Sequence, residues 1–192
     1  MDGANDAQAE RRKKVMDAAV GLVAQGGLTA LRIRDVVART GVSSATIYRY
    51  FASKEHLLLA ALAEQHFAMF QPGQAPPDGG TPTARVISVL RARTDALTSN
   101  PQLAAAVLQA MTSTEPGVAA LLATITRPLV DEVVHAIRPT DPTPADDELA
   151  RTLQRVWVAA VIGWVTAGET ANSINDAVET AAHQLLDPAS ES

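Results

Sequence analysis

Small, hydroxyl and cationic side chains are concentrated in one short stretch near the N-terminus. Residues 44–50 read Ser-Ala-Thr-Ile-Tyr-Arg-Tyr, and Lys54 follows four residues later. On a helix, Ile47 lies on one side of this stretch, and the small, hydroxyl and arginine side chains lie on the other. Small residues let a helix sit deep in a DNA major groove, hydroxyls can bond bases or phosphates, and Arg49 could read guanine or hold a phosphate. The stretch therefore favours recognition of double-stranded DNA.

Two short helices joined by a tight turn would position these groups. The pattern predicts one helix over about Ile33 to Thr40 and a second over about Ser44 to Tyr50. Gly41 lies at the joint, where a left-handed backbone costs a glycine little. Both helices would pack on a first helix over about Ala9 to Gln25, which Gly26–Gly27 ends. The apolar residues that fix the crossing angle are Val36, Val37, Val42, Ile47 and Phe51.

Charge is distributed unequally along the sequence. The net charge of −5 alone argues weakly against nucleic acid. Residues 1–54, however, hold nine Lys and Arg against five Asp and Glu, with a basic cluster from Arg11 to Lys14, whereas residues 55–192 hold seven against sixteen. This asymmetry is typical of a DNA-binding segment on an acidic body. The alternative interpretation is a small helical bundle with a solvated basic face.

The residues from Gly41 to Leu58 read Gly-Val-Ser-Ser-Ala-Thr-Ile-Tyr-Arg-Tyr-Phe-Ala-Ser-Lys-Glu-His-Leu-Leu. This string resembles the signature of the TetR family of bacterial regulators, and the resemblance extends over roughly Arg12 to Leu62. It implies that Tyr48 and Lys54 grip phosphates, while residues 44–46 and Arg49 face the groove.

The predicted DNA-binding set extends beyond the second short helix and includes one departure from the family pattern. At Arg32 the family usually has Ser or Thr as the cap of a helix, so that cap is lost or replaced, and the arginine could reach a phosphate instead. The full set is Arg12, Arg32, Ser43, Ser44, Ala45, Thr46, Tyr48, Arg49, Tyr50 and Lys54.

Helix signals along the rest of the chain predict an all-α protein of about nine helices. Aromatic residues make up only 4% of the sequence, and strand-like runs are scarce. We expect a three-helix helix-turn-helix domain over residues 1–54 and a helical bundle for effector binding and dimerisation over residues 55–192. Predicted N-caps are Ser53, Thr81, Asn100, Thr143 and Ser173.

The last two helices predict contact with a second copy of the chain. From Val156 onward, a helix over about Ala145 to Gly168 is apolar nearly all round and must be covered on every side. Its small residues recur every fourth position, and the last helix adds an apolar face, so we expect half of a four-helix homodimer interface. The alternative is a buried core helix in a monomer. The predicted interface residues are Ala159, Gly163, Ala167, Val178 and Ala182.

The same helices predict a site for a small hydrophobic effector. Trp157 and Trp164 lie seven residues apart on one helix face, and Pro128 could kink the preceding helix to open space. An apolar stripe of this kind could equally be plain core. The family resemblance implies a cavity opposite the tryptophans, and His66 and Gln109 are candidate polar contacts. The predicted site is His66, Phe67, Phe70, Leu108, Gln109, Met111, Leu122, Ile125, Trp157, Val161 and Trp164.

The tryptophan spacing, the string around Tyr48 and the Asn100-Pro101 step are similar to actinobacterial repressors of sterol catabolism within the family. This likeness implies an effector such as a bulky lipid, a sterol derivative or an acyl coenzyme A thioester.

Other residues argue against enzymes, metals and membranes. The absence of cysteine excludes disulfides and thiolate metal sites, and the four histidines lack metal-site spacing and are expected on helix surfaces. No paired-carboxylate motif or glycine-rich phosphate loop supports an enzyme, and no cofactor is expected. Met1 to Glu10 does not resemble a signal peptide, and the apolar run from Val156 to Val165 is too short to span a bilayer. We therefore expect a cytoplasmic protein.

Taken together, the residues predict a DNA-binding transcriptional regulator that binds a palindromic operator as a homodimer. We expect a repressor that a small hydrophobic effector releases from its operator. A helical enzyme and a DNA-architectural or interaction module without an effector are the alternatives.

Overall fold

The computed structural model describes residues 2–69, 80–115 and 117–187, which form helices joined by short turns. The predicted all-α class is confirmed, and the described residues contain nine helices and no strand. They are α1 (Asp2–Ala30), α2 (Ile33–Thr40), α3 (Ser44–Tyr50), α4 (Lys54–Met69), α5 (Pro82–Thr98), α6 (Pro101–Met111), α7 (Val118–Ile137), α8 (Pro144–Ala167) and α9 (Ala171–Leu186).

The chain divides into two compact units. The first comprises Met1–Met69 and Asn100–Ile125, and the second comprises Phe70–Ser99 and Thr126–Ser192. These bounds differ from the predicted division at residue 54, because α6 and the start of α7 belong with the N-terminal helices. Apolar side chains of α6 and α7 are buried in one core with α1 and α4, and this packing outweighs their distance along the chain.

The core of the first unit is built from α1, α4 and α6. One face of α1 is buried, including Val15, Ala19 and Val23, and α4 is buried at every position from Leu57 to Leu62. Each fully buried leucine of this kind contributes roughly 2 kcal/mol to stability. The range of α1 contains a break at the predicted end of the first helix, because helical dihedral angles are lost at Gly26 (φ −156°) and Gly27 (φ 66°).

The second unit packs α5, α8 and α9 with the later part of α7. Its core contains Val86 and Leu90 of α5, Val133 of α7 and Leu153 of α8, all fully buried. The helix α7 continues through Pro128. None of the helices in the described ranges combines the length and the apolar character that crossing a bilayer requires.

A buried ion pair lies within this second core. Arg93 of α5 is only 5% exposed, and its Nε donates to Oε2 of Glu132 on α7 at 3.1 Å, with a second bond between the same two side chains. Next to it in sequence, the Thr94 hydroxyl donates to the Leu90 carbonyl and accepts from Nε1 of Trp157 at 3.0 Å. These contacts join three helices through polar groups, of which Arg93 and Thr94 are buried and Glu132 is 21% exposed.

The predicted N-caps fit the structure at four of the five positions. The side chains of Ser53, Thr81, Asn100 and Thr143 each accept a backbone N–H of the first helical turn. The prediction of Ser173 is wrong, because Thr170 caps α9 by accepting from the Ser173 N–H. Both residues carry a hydroxyl three or fewer residues from the helix start, and only the backbone conformation distinguishes them.

The start of α8 has a reciprocal capping box. Oδ2 of Asp146 accepts from the Thr143 N–H and hydroxyl, each at 2.7 Å, and from Nε of Arg138 at 2.9 Å. These bonds, first from the Thr143 hydroxyl, then from its backbone and then from Arg138, hold the pKa of Asp146 below its ordinary value. The ionised form therefore stabilises the fold above the unfolded-state pKa, and this stability is lost as the pH falls through the lowered pKa.

We expect Asp146→Asn to lower the melting temperature by several degrees near neutral pH, because an amide cannot accept these bonds as a carboxylate does. The difference from wild type should shrink on acidification, since the wild-type carboxyl then also becomes neutral. Thermal melts followed by circular dichroism across a pH series measure both effects. Glu148→Gln, which neutralises an exposed carboxylate on the same helix, is the control and should leave the melting temperature nearly unchanged. Equal melting temperatures for Asp146→Asn and wild type would contradict the expectation.

Candidate nucleic-acid interface

The two short helices α2 and α3 meet at the predicted glycine turn. Gly41 has a left-handed backbone (φ 71°, ψ 2°), and its N–H donates to the Val37 carbonyl. The Thr40 hydroxyl donates to the Val36 carbonyl at 2.8 Å and accepts from the Val42 N–H at 3.2 Å, so that the turn is closed by side-chain and backbone bonds. The predicted helix-turn-helix is therefore confirmed.

The inner face of α3 is anchored in the core of the first unit. Ile47 is fully buried and Phe51, which ends the helix, is 1% exposed. At the other end, Oγ of Ser43 accepts from the Thr46 N–H at 3.3 Å, and the two hydroxyl oxygens lie 3.0 Å apart. Ser43 is therefore held as a helix cap, and its hydroxyl already has a structural role.

The outer face of α3 brings together most of the predicted DNA contacts. Ser44, Ala45 and Arg49 are exposed, and Thr46 is half-buried. Tyr48 is 56% exposed, which is unusual for a large aromatic side chain and leaves its hydroxyl accessible. The Arg49 guanidinium lies over the ring of Tyr50, 5.3 Å from the centroid, which restrains it. This surface, residues 44–46 with 48 and 49, is called the α3 outer face below.

Two predicted phosphate-binding cations have partners within the chain. Nζ of Lys54 donates to the Leu28 carbonyl at 3.4 Å. The Arg12 guanidinium lies 5.4 Å from the centroid of the Phe51 ring and pairs with Glu64 of α4. Either cation would have to exchange or share these partners in order to bind a phosphate.

Three exposed arginines lie at the N-cap of α2 or on the helix itself. Arg32 is exposed at the N-cap position and makes no side-chain capping bond, as its departure from the family pattern suggested. Arg34 and Arg39 were not among the predicted DNA contacts, and the structure places them on the exposed surface of α2. Arg39 donates to Oε1 of Gln25 at 3.2 Å, which connects α2 to α1.

The turn between α3 and α4 holds a histidine that sequence analysis placed on a helix surface. His56 is half-buried, its N–H donates to Oγ of Ser53, and its Nδ1 accepts from the Ala52 N–H, both at 3.0 Å. Its ring contacts Phe51 edge to face, with centroids 6.1 Å apart. His56 is therefore less exposed than a free helix surface would leave it, because its ring contacts Phe51. Elsewhere, His135 and His183 are exposed as expected.

The predicted effector residues fall into both compact units. In the first unit, Leu108, Met111, Leu122 and Ile125 are half-buried and Gln109 is exposed. In the second unit, Val161 is buried and Trp157 and Trp164 are half-buried. The side chains of His66 and Phe67, together with all of Phe70, lie outside the described residues.

The predicted dimer residues separate into two groups. On α8, Ala159 and Ala167 are exposed, Gly163 is half-buried, and the neighbouring Ile162 is 45% exposed. On α9, Val178 and Ala182 are almost completely buried in the core of the second unit, so they pack within one chain rather than facing a partner. The periodicity identified an apolar face of α9 correctly but could not show that the chain itself covers that face.

The carboxylate of Glu169 lies over Gly163. A methyl group at Gly163 would come within 2.8 Å of this carboxylate, so the strip of small residues on α8 is partly covered by a residue just beyond the C-cap Gly168.

Acidic and histidine side chains are dispersed through the described ranges, where no group of three could hold a metal ion. The exposed hydroxyl and guanidinium groups of the α3 outer face can instead form hydrogen bonds and ion pairs.

Comparison with known proteins identifies the family of this architecture. Residues 15–61 match the family model described as bacterial regulatory proteins, tetR family. Residues 79–185 match a second model, described as tetracyclin repressor-like, C-terminal domain. The chain belongs to the tetR family. It is a transcriptional regulator with a helix-turn-helix and not an enzyme, and tetR regulators bind DNA operators and act as dimers.

Proteins similar to this tetR-family chain match it over nearly its whole length. The HTH-type transcriptional repressor KstR of Rhodococcus jostii (strain RHA1) is 32% identical over 96% of this chain and 87% of its own length. The protein of the same name from Mycobacterium tuberculosis (strain ATCC 25618 / H37Rv) is 27% identical over 95% and 83%. Among solved structures, a TetR transcriptional regulator from Rhodococcus sp. RHA1 superimposes with a TM-score of 0.81 at 26% identity, covering 96% of this chain and 99% of that chain.

Proposed function

We propose that this tetR-family protein is a repressor that binds a palindromic operator as a homodimer and is released by a small hydrophobic effector. The observation that carries the DNA-binding part is the α3 outer face. It exposes hydroxyl, alanine and arginine groups on a helix whose opposite side is fixed by buried Ile47 and Phe51. Repression is supported by the relatives, which are named transcriptional repressors.

The roles proposed for the predicted DNA contacts follow from the chemistry of each side chain. Thr46 and Arg49 are proposed to bond base edges, because a hydroxyl and a guanidinium match the donor and acceptor patterns of the major groove. Tyr48 and Lys54 are proposed to bind phosphates, which fixes the register of the helix. Arg12 is proposed to bind a phosphate by exchanging its Glu64 partner. Ser44 and Ala45 are proposed to face the groove, and Arg32, Ser43 and Tyr50 to flank it.

The homodimer is proposed to form through the exposed side of α8. Ile162 is 45% exposed beside Ala159 and Ala167, and a second copy would remove this apolar surface from water. A twofold dimer presents two copies of α3 to two half-sites, and successive major grooves lie about 34–36 Å apart. This geometry accounts for a palindromic operator.

The effector is proposed to bind among the C-terminal helices and to belong to the bulky lipids, sterol derivatives or acyl coenzyme A thioesters. Support comes from the half-buried tryptophans of α8 and from the sequence likeness to repressors of sterol catabolism. A compound that binds the native state must raise its melting temperature. Melts with cholesterol, a free fatty acid and a fatty acyl coenzyme A therefore test this part, and the absence of any shift would favour a regulator without such an effector.

The DNA-binding roles predict different effects for base and phosphate contacts. Using a duplex selected from random sequence by the wild-type protein, we expect Arg49→Ala to lose discrimination at particular base pairs, by about 1–3 kcal/mol for a good contact. Lys54→Ala is the matched control, because losing a phosphate contact weakens all duplexes alike and makes the salt dependence shallower by about one unit. Fluorescence anisotropy over a panel of single-base variants measures both. A uniform loss for Arg49→Ala would reassign it to a phosphate.

A further inference from the structure

The corner between α3 and α4 is closed by one histidine. A capping box normally uses Glu or Gln at the third helical position to reach back to the backbone before the helix. In this chain His56 takes that position, and its Nδ1 accepts the Ala52 N–H while Ser53 accepts the His56 N–H, both at 3.0 Å. The two bonds therefore join the residue before the N-cap, the N-cap and the first turn of α4.

The same imidazole contacts the end of α3. Its ring packs edge to face on Phe51, whose N–H donates to the Ile47 carbonyl and ends the helix. On its other side, a methyl group at Gly117 would lie 3.7 Å from Nε2, so the ring also lies against the turn before α7. The His56 ring thus contacts Phe51, the C-cap residue of α3, and lies near Gly117 in the turn before α7.

The short length of α3 makes its direction sensitive to this corner. Seven residues give a helix about 10 Å long, so a tilt of about 10° at one end moves the other by about 2 Å. Hydrogen bonds to base edges tolerate only a few tenths of an ångström. A bond that fixes the direction of α3 relative to α4 therefore bears directly on groove contacts.

We propose that His56 is a positioning residue for DNA binding, which holds the α3 outer face in register through the bond from the Ala52 N–H to Nδ1. A side chain at position 56 that cannot accept this bond should therefore weaken DNA binding. The inference rests on the proposed docking of α3 in the major groove.

Several charged groups lie on the elements that pack at this corner. They are Lys54 and Glu55 of α4, Arg49 of α3, Arg12 of α1 and Glu115 of the turn before α7. All of them are retained in variants of His56, so a comparison between such variants isolates the imidazole.

Three substitutions separate the two contacts of the imidazole. His56→Asn keeps an acceptor, because Oδ1 of asparagine occupies the place of Nδ1 but lacks the ring. His56→Phe keeps a ring without an acceptor, and His56→Ala has neither. We expect Phe and Ala to weaken binding of the selected duplex by about three- to tenfold, the size of one net hydrogen bond, and Asn to stay within about twofold of wild type.

Binding is measured by anisotropy with the full-length protein, and thermal melts confirm that each variant is folded at the temperature used. A purely structural role would lower melting temperatures while leaving the dissociation constants equal, and this result would overturn the proposal. Equal affinities of His56→Phe and His56→Asn would also overturn it. If His56 variants bind normally while Arg49→Ala loses discrimination, only the positioning role fails. If Arg49→Ala also has no effect on any duplex, the proposed docking of α3 fails instead.

Discussion

Replacing Ala45 with glutamate is expected to weaken specific DNA binding by more than about a hundredfold while leaving the protein folded. Ala45 is exposed on the α3 outer face, so a longer side chain meets no neighbour in the free protein. It is the second residue of α3, where a negative charge interacts favourably with the helix dipole. In a major groove, however, the carboxylate would face two rows of phosphates and lose its water, and like-charge contacts cost several kcal/mol.

The chain offers a closely matched control for this variant. Ala119 is also an exposed alanine, is also the second residue of a helix, and belongs to the same compact unit. Ala119→Glu changes the net charge equally, so it reports the general effect of added negative charge on binding. Anisotropy titrations should show near-wild-type affinity for Ala119→Glu. Similar losses in the two variants would mean that α3 does not enter the groove.

The second large effect is expected from the ion pair in the core of the second unit. Glu132→Ala removes the carboxylate that bonds Arg93 twice, and Arg93 is only 5% exposed. Removing Glu132 leaves the Arg93 charge with less compensation, which costs about 3 kcal/mol, the lower end for a buried pair because Glu132 is itself 21% exposed. Chemical unfolding followed by circular dichroism should show this loss in stability.

A neighbouring pair on α5 provides the comparison. Arg91 pairs with Glu179, and both side chains are more than 40% exposed. Exposed pairs contribute about 1 kcal/mol or less, so Glu179→Ala should have little effect. The double variant Arg93→Met/Glu132→Leu should recover much of the stability lost by Glu132→Ala, because it removes both charges and keeps apolar volume. If Glu132→Ala and Glu179→Ala unfold alike, water reaches the inner pair.

The helix-turn-helix could be predicted from sequence because its signals are local. Gly41 marks a left-handed turn, and Ile47 and Phe51 repeat at helical spacing, so the composition of a few residues determines the element and its buried side. A capping side chain followed by proline, at Thr81, Asn100 and Thr143, likewise identifies a helix start from two positions.

Features that depend on distant packing could not be predicted in this way. Val178 and Ala182 have the periodicity of a contact face, but only the fold shows that α9 turns this face into its own core. The sequence does not distinguish Arg93 from a surface arginine, because its partner Glu132 lies 39 positions away along the chain. His56 was placed on a surface for the same reason, since its neighbours are the backbone of Ala52 and the ring of Phe51 in a conformation that no pattern specifies.

The inclusion of α6 in the first unit has a consequence for recombining regulators. Leu103, Ala106 and Ala110 of α6 are buried in the same core as the α1 and α4 side chains. A DNA-reading segment cut after α4 would expose the apolar surface that these residues cover. A chimaera that exchanges only the first 69 residues would therefore create a mismatched seam through this core. An exchangeable DNA-binding unit would therefore be discontinuous and would carry residues 100–125 together with the first 69 residues.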